Sequence, residues 1–319
     1  MGILCYHLTL EGPLGTPVRS NTLFGHLCWA LRHRDGEGAL TDWLADFDAA
    51  PLRLSDAFPV GVLPRPLVRP LAPGELDRWL ERHGGDELEA LSRLKRFRKR
   101  RWIAVDDFLA LRHEYREDRL YDRWVETPET AGSDAGARTE RVAHNQIDRW
   151  TGRTPETGGL YFQHDTWYAG DGPHLWVFAD PGALGADRLT ELMTLVGRVG
   201  YGRDASTGRG RFRVEPAEPP AGLFEGAGNR WMTLSRGVLT PGMGEPRYRL
   251  ATHYGRLGAD RATGQPSPFK RPILLVEPGS TFSGDEGPHG ALLDGVHPSV
   301  ADVRENAYHL CVPFTEAMS

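Results

Sequence analysis

The sequence predicts an α+β fold: a ferredoxin-like sandwich of helices on a sheet, followed by a second, strand-rich part. Three observations carry this expectation. An alternating apolar segment near the start runs directly into an amphipathic helix. A second amphipathic helix near the middle stops at a Gly-rich loop and a resumed strand, which completes the order strand, helix, strands, helix, strand. Beyond the Pro-rich "EPAEPPAGL" (215–223) the chain reads as short strands, so the division falls at residues 1–218 and 225–319.

Each element follows from its own residues. "ILCYHLTLEGPLG" (3–15) alternates and then breaks at Gly and Pro, which suits a strand with one buried face. In "RSNTLFGHLCWALR" (19–32), Ser20 or Asn21 can cap a helix that carries Leu23, Phe24, Leu27, Cys28 and Leu31 on one face. An insertion is expected at about 60–155. It comprises the Pro-rich "PVGVLPRPLVRPLAPG", a charged and mostly helical stretch to Trp102, and a loop at "ETPETAGSDAGART" (126–139). "GGLYFQHDTWYAGDGPHLWVFAD" (158–180) places two aromatic-rich runs around an Asp-Gly turn, a hairpin signal. "GADRLTELMTLVGRVG" (185–200) sets Leu189, Leu192, Leu195 and Val196 on one helix face, and "GRFRVEP" resumes as a strand.

Composition narrows the class. The chain has 319 residues, 25% charged and 39% apolar, which is a balance typical of a folded soluble domain pair. A net charge of −5 gives no global attraction to nucleic acid, so any such binding must come from local patches. Three cysteines outside any CxxC pair read as small buried hydrophobes in a reducing cytoplasm. "MGILCYHLTL" alternates instead of opening basic and then apolar, so no leader is expected, and no membrane contact either.

The stretch "VGYGRDASTGRGRF" (199–212) concentrates the chemistry. Gly200, Gly202, Gly208 and Gly210 permit positive φ and close backbone approach, while Arg203, Arg209 and Arg211 offer planar donors to phosphate. Ser206 adds a hydroxyl, and Tyr201 could stack a base. No GK[ST] ending is present and the glycines follow a helix, so neither a Walker loop nor a dinucleotide fingerprint fits. On this stretch alone a basic surface loop and a phosphate cradle both remain open.

Two other runs point the same way. "RLKRFRKRR" (93–101) packs Arg93, Lys95, Arg96, Arg98, Lys99, Arg100 and Arg101 around Phe97, and serves either as an RNA contact or as a protein interface. "AHNQIDRWTG" (143–152) sets His144, Asn145 and Arg149 beside a turn, where such groups bond to themselves as readily as to a ligand. Catalytic patterns are missing: the twelve histidines form no HExxH or metal spacing, and there is no GxSxG. His26 is the best candidate for a general base, although its helical neighbours favour a structural role.

Taken together, "SNTLFGHLCWAL", "SDAFP", "IDRWTG" with "GGLYF", the Gly-rich loop and "KRPILLVEPGSTF" resemble the RAMP proteins of CRISPR interference complexes. The resemblance spans nearly the whole chain and is nearest to the RAMP subunit that caps the crRNA five-prime end in type III-A (Csm) complexes. It implies two ferredoxin-like (RRM-like) halves, a thumb-like insertion in the first, and binding of the repeat-derived crRNA tag without catalysis. It also implies two protein partners, the large polymerase-like subunit and a backbone RAMP subunit, and no cofactor. By position, Gly200, Gly202, Gly208 and Gly210 would lie against the tag, with Arg203, Arg209 and Arg211 on its phosphates. Arg19, Asn21 and Thr22, at the mouth of the first helix, would lie near the RNA, although the family usually carries Asp where Asn21 stands. Alternatives of the same superfamily are a type III-B counterpart and an endoribonuclease that processes precursor crRNA through a histidine such as His26.

Overall fold

The computed structural model describes residues 2–83, 87–126, 136–262, 266–285 and 287–317. Most of the expected loop at 126–139 lies outside the described residues. β1 (Leu4–Leu10) leads into α1 (Ser20–Asp35) and α2 (Glu37–Ala45), then the short strands β2 (Arg53–Leu54) and β3 (Phe58–Pro59). The insertion follows as β4 (Val62–Pro64), α3 (Pro73–His83), α4 (Glu87–Lys99), β5 (Trp102–Ala104), α5 (Val105–Leu111), α6 (Glu117–Glu126), β6 (Ala137–Asn145) and β7 (Leu160–Tyr168). β8 (Leu175–Asp180), α7 (Ala186–Val199) and β9 (Phe212–Ala217) close the first half. Its sheet runs β2, β8, β1, β9, with β3 also on β8 and every pairing antiparallel. With β2, β8 and β9 as second, third and fourth strands, the spatial order is 4-1-3-2 and α1 and α7 are the two connections, the β-α-β-β-α-β pattern expected from the sequence.

Two local expectations are corrected. The runs at 158–180 do not form a hairpin with each other. β7 pairs with β6, from Ala137 opposite Tyr168 to Asn145 opposite Leu160, and β8 pairs with β1. Leu175 to Ala179 of β8 are all buried and belong at a sheet centre, whereas β7 is mostly exposed; the two cannot share one ribbon. The insertion therefore extends to residue 168. Nor does Ser20 or Asn21 cap α1. Arg19 holds the cap position in extended geometry, and the Ser20 N–H is taken by the Asp56 carboxylate at 2.8 Å.

The second half comprises β10 (Arg230–Thr233), β11 (Gly244–Arg247), β12 (Leu250–His253), β13 (Ile273–Val276), β14 (Thr281–Ser283), β15 (Leu292–Leu293), β16 (Glu305–Asn306) and β17 (Cys311–Phe314). A four-stranded sheet runs β11, β14, β10, β17; β12 with β13 and β15 with β16 form separate ribbons. It is strand-rich, as the sequence suggested, but the helices of a second ferredoxin-like unit are absent among the described residues. Segments such as "TPGMGEP" punctuate the chain too often for an apolar 3.6-residue period to build up.

Strand alternation divides the core. Tyr6, Leu8, Leu175 and Val177 face α1 and α7 and pack on Leu27, Leu192, Met193 and Tyr201. Cys5, Trp176 and Phe178 face the other way and meet Phe97, Trp79 and Trp124 of the insertion together with Met232, Leu310 and Phe314 of the second half. Each such fully buried side chain contributes about 1.5–3 kcal/mol. Cys5, Cys28 and Cys311 are free, and burial pushes each thiol up to about 12, which leaves them un-ionised packing groups.

Candidate nucleic-acid interface

The Gly-rich loop is tied down at almost every residue. Tyr201 N–H donates to the Gly210 carbonyl, and Gly210 N–H to that of Pro13, each at 2.9 Å. Gly210 has φ +68°, and a Cβ there would collide with the Tyr201 carbonyl. The Arg203 N–H donates to Thr16 Oγ1 at 3.1 Å. Two arginines then grip one carboxylate: Arg203 Nη2 lies 2.9 Å from Asp165 Oδ1 and Arg209 Nε 2.8 Å from Oδ2, with Asp165 only 1% exposed. Asp165 sits on β7, and the Leu14 and Thr166 backbones exchange hydrogen bonds at 2.9 Å. Loop, β1–α1 connection and ribbon base form one joint.

The β6–β7 ribbon carries its apolar side chains outward. His144 stacks on Tyr161 with ring centroids 5.2 Å apart, and the Arg141 guanidinium lies 3.6 Å from the centre of the Phe162 ring. Leu160, Tyr161, Phe162 and Trp167 are between 43% and 60% exposed. At the tip, the Asp148 carboxylate accepts the N–H groups of Trp150 and Thr151 at 2.7 and 3.0 Å, which holds its own pKa below the usual carboxylate range. Trp150 stands 98% exposed on that turn, beside an exposed Arg149.

The mouth of α1 faces inward. Asn21 is 3% exposed and donates from Nδ2 to Glu305 Oε1 at 2.7 Å, while Lys270 Nζ meets Glu305 Oε2 at 2.5 Å. An Asp at position 21 would set two carboxylates against each other, so Asn suits this neighbour. His26 Nε2 accepts the Gly202 N–H at 3.0 Å, and burial lowers its pKa to about 4. It is neutral at pH 7, and its acceptor nitrogen is occupied.

No protein-family model and no curated protein matches the chain. Solved structures do. The Csm1–Csm4 cassette in complex with pppApA contains a chain that superposes with a TM-score of 0.62 at 18% identity, with 99% of each chain covered. In the Csm3–Csm4 subcomplex of the type III-A CRISPR-Cas interference complex the values are 0.58 and 14%, with 98% of this chain and 99% of the other covered. The component common to both assemblies is Csm4. The chain has the Csm4 fold.

Within that Csm4 fold, the residues singled out from sequence divide into two groups. Arg211 and Ser206 of the loop are exposed, and so is Arg149 at the ribbon tip; Arg19 and Thr22 are half-buried at the α1 mouth. Others are corrected. Tyr201 is 0% exposed, its hydroxyl accepting the Arg19 N–H at 3.0 Å and donating to the Pro17 carbonyl at 3.1 Å, so it cannot stack a base. Asn21 turns into the second half and His26 into the loop's underside. The side chains of Arg203 and Arg209 are engaged with Asp165, and most loop amides are bonded internally; the glycines shape the loop and do not expose a row of donors. Asn145 accepts from Thr154 Oγ1 at 2.8 Å. Along the basic run, Lys95, Arg96, Arg98, Lys99 and Arg101 are exposed, while Arg100 lies over the Phe97 and Trp124 rings. Asp165, Trp150, Phe162 and Arg141 were missed. The aromatic alternation of "LYFQHDTWY" signalled a strand, but only its pairing with β6 shows which side chains face outward.

Among the described residues no helix is long and apolar enough to cross a membrane, and no cluster of His, Cys, Asp or Glu has the arrangement of a metal site.

Proposed function

We propose that this chain is the noncatalytic RNA-binding subunit of a type III-A CRISPR interference complex, a RAMP protein that holds the repeat-derived five-prime tag of crRNA. It links the large polymerase-like subunit to the backbone RAMP filament. The observation that carries this reading is the Asp165 joint, which fixes a basic loop to the base of a ribbon with outward aromatic rings. Cations placed beside π-faces suit a single strand, whose phosphates and unstacked bases both need partners. Shared fold with a component found beside Csm1 in one assembly and Csm3 in another supports two protein partners. A His26 that is neutral and already bonded favours binding over acid–base cleavage.

The test uses a labelled single-stranded RNA that bears the tag and the full-length chain, with anisotropy read across a salt series. The Arg149→Ala/Arg211→Ala double variant should bind more weakly, with a salt slope shallower by about 1 to 1.5, about 0.7 for each cation lost on a single strand. Unchanged affinity and slope would falsify the reading. Specific cleavage of repeat RNA in metal-free buffer, lost in His26→Ala, would instead favour the endoribonuclease.

A further inference from the structure

The outward face of α4 has no part in that reading. Residues 93–101 hold seven Lys and Arg in nine positions, on a chain of net charge −5. Ala90, Leu94 and Phe97 fix the inner face of α4, each at most 3% exposed, with Phe97 against Tyr121 and Trp124. At 3.6 residues per turn this rotates Arg93, Lys95, Arg96, Arg98 and Lys99 across the remaining arc. Arg93 pairs with Glu89 at 3.1 Å, whereas Lys95, Arg96, Arg98 and Lys99 have no ion-pair partner among the described residues. Lys95 and Lys99 stand one turn apart, a like-charge pair that opposes the helix. The helix C-terminus favours cations in the last turn, but not a whole face without counter-charge.

We infer that this face is a second nucleic-acid contact, which holds a phosphate backbone without reading bases. The side chains between Lys95 and Lys99 offer no outward aromatic ring for base stacking. They also lack an apolar anchor for a protein interface, whose centre is depleted of Lys; Leu88, in the first turn, is the exposed apolar exception on α4. A closely spaced row of cations without apolar anchors is instead the electrostatic footprint of backbone binding, driven by counter-ion release. Position separates it from the loop. α4 packs on α3 and α6 within the cluster that covers the sheet face of Cys5, Trp176 and Phe178, whereas the Gly-rich loop leaves α7 on the opposite face. The strand held by α4 is therefore a different segment from the one at the loop, and the inference stands apart from tag recognition.

The experiment uses the full-length chain and a fluorescein-labelled oligouridylate of about 20 nucleotides, titrated between about 50 and 200 mM salt. The quadruple variant Lys95→Gln/Arg96→Gln/Arg98→Gln/Lys99→Gln should keep the wild-type melting temperature, because these side chains are solvated. Its affinity at about 50 mM salt should fall by at least about a hundredfold, with a salt slope shallower by about 3, about 0.7 for each of four cations. Unaltered affinity and slope overturn the inference whatever Arg149→Ala/Arg211→Ala does, and an unaltered response of that double variant bears on the tag reading alone. Should the quadruple variant keep its RNA affinity while losing an acidic protein that copurifies with wild type, the face is a protein interface and the inference falls.

Discussion

At the scale of single residues, Asp165 decides the shape of the loop. Its carboxylate is buried between two guanidinium groups, and it joins residues 38 and 44 positions apart in sequence. Removing it in Asp165→Ala leaves Arg203 with only the looser Asp204 carboxylate as counter-charge, at 3.8 Å, and Arg209 with none. Their side chains are 27% and 18% exposed, so water relieves part of the penalty, and a loss of about 2 to 4 kcal/mol in denaturant unfolding is expected. RNA binding separates two explanations by sign. On charge alone, deletion of a carboxylate should strengthen binding to a polyanion; if the joint sets the geometry of the interface, affinity should fall despite the gained positive charge. Stronger binding in Asp165→Ala would mean that the loop need not be held in place.

At the scale of elements, the β6–β7 ribbon is built to present rather than to pack. Trp150 is 98% exposed and rests on a turn ordered by Asp148, so Trp150→Ala should leave the unfolding midpoint where it is. If the indole stacks on a base, the same variant should lose about 1 to 3 kcal/mol of RNA affinity, with the salt slope unchanged because no charge is altered. Equal affinity for wild type and variant would remove the tip from the interface. This is also the element that the sequence exposes least. α1, α7 and β1 announce themselves through local periodicity, and the Gly-rich loop through composition, because each is decided within its own dozen residues. The ribbon depends on a partner strand upstream of the turn at 146–159, and a nearer Asp-Gly turn suggests β8 instead. Burial then decides: the continuous apolar run of β8 belongs under two helices. The inward turn of Tyr201 and Asn21 is equally unreadable, since their partners lie far away in sequence: Pro17 at the other end of the first half and Glu305 in the second.

At the scale of the whole molecule, the two halves share one interior. Met232, Leu310, Val312 and Phe314 complete the cluster begun by Cys5, Phe58 and Trp176. Arg236 Nε meets Asp56 Oδ2 at 3.2 Å, and Asn306 Nδ2 donates to the Leu52 carbonyl at 2.8 Å. Such a core should unfold as a unit, and acid offers the means to see it. His26 in the first half and His309 in the second are both held near pKa 4 by burial, against an ordinary value of 6.5. His309 Nδ1 pairs with Thr233 Oγ1 at 2.8 Å and Nε2 with the Val238 carbonyl at 3.0 Å, an arrangement suited to the neutral ring. Between pH 6.5 and 4 the unfolded chain binds these protons and the folded chain does not, so stability rises with pH across that window and is lost as pH falls. By pH 4.5 each histidine should account for at most about 2 to 3 kcal/mol of that loss. Urea unfolding at pH 7 and pH 4.5, followed by backbone circular dichroism and by tryptophan fluorescence, should give one coincident transition at each pH, displaced to lower urea in acid. His26→Gln, whose amide oxygen can still accept the Gly202 N–H, should shrink the displacement without abolishing it, because His309 and His253, whose pKa burial also lowers, still take up protons on unfolding. A midpoint that does not move would show that the folded chain does not hold these rings neutral, and two probes that part company would show that the halves do not melt together.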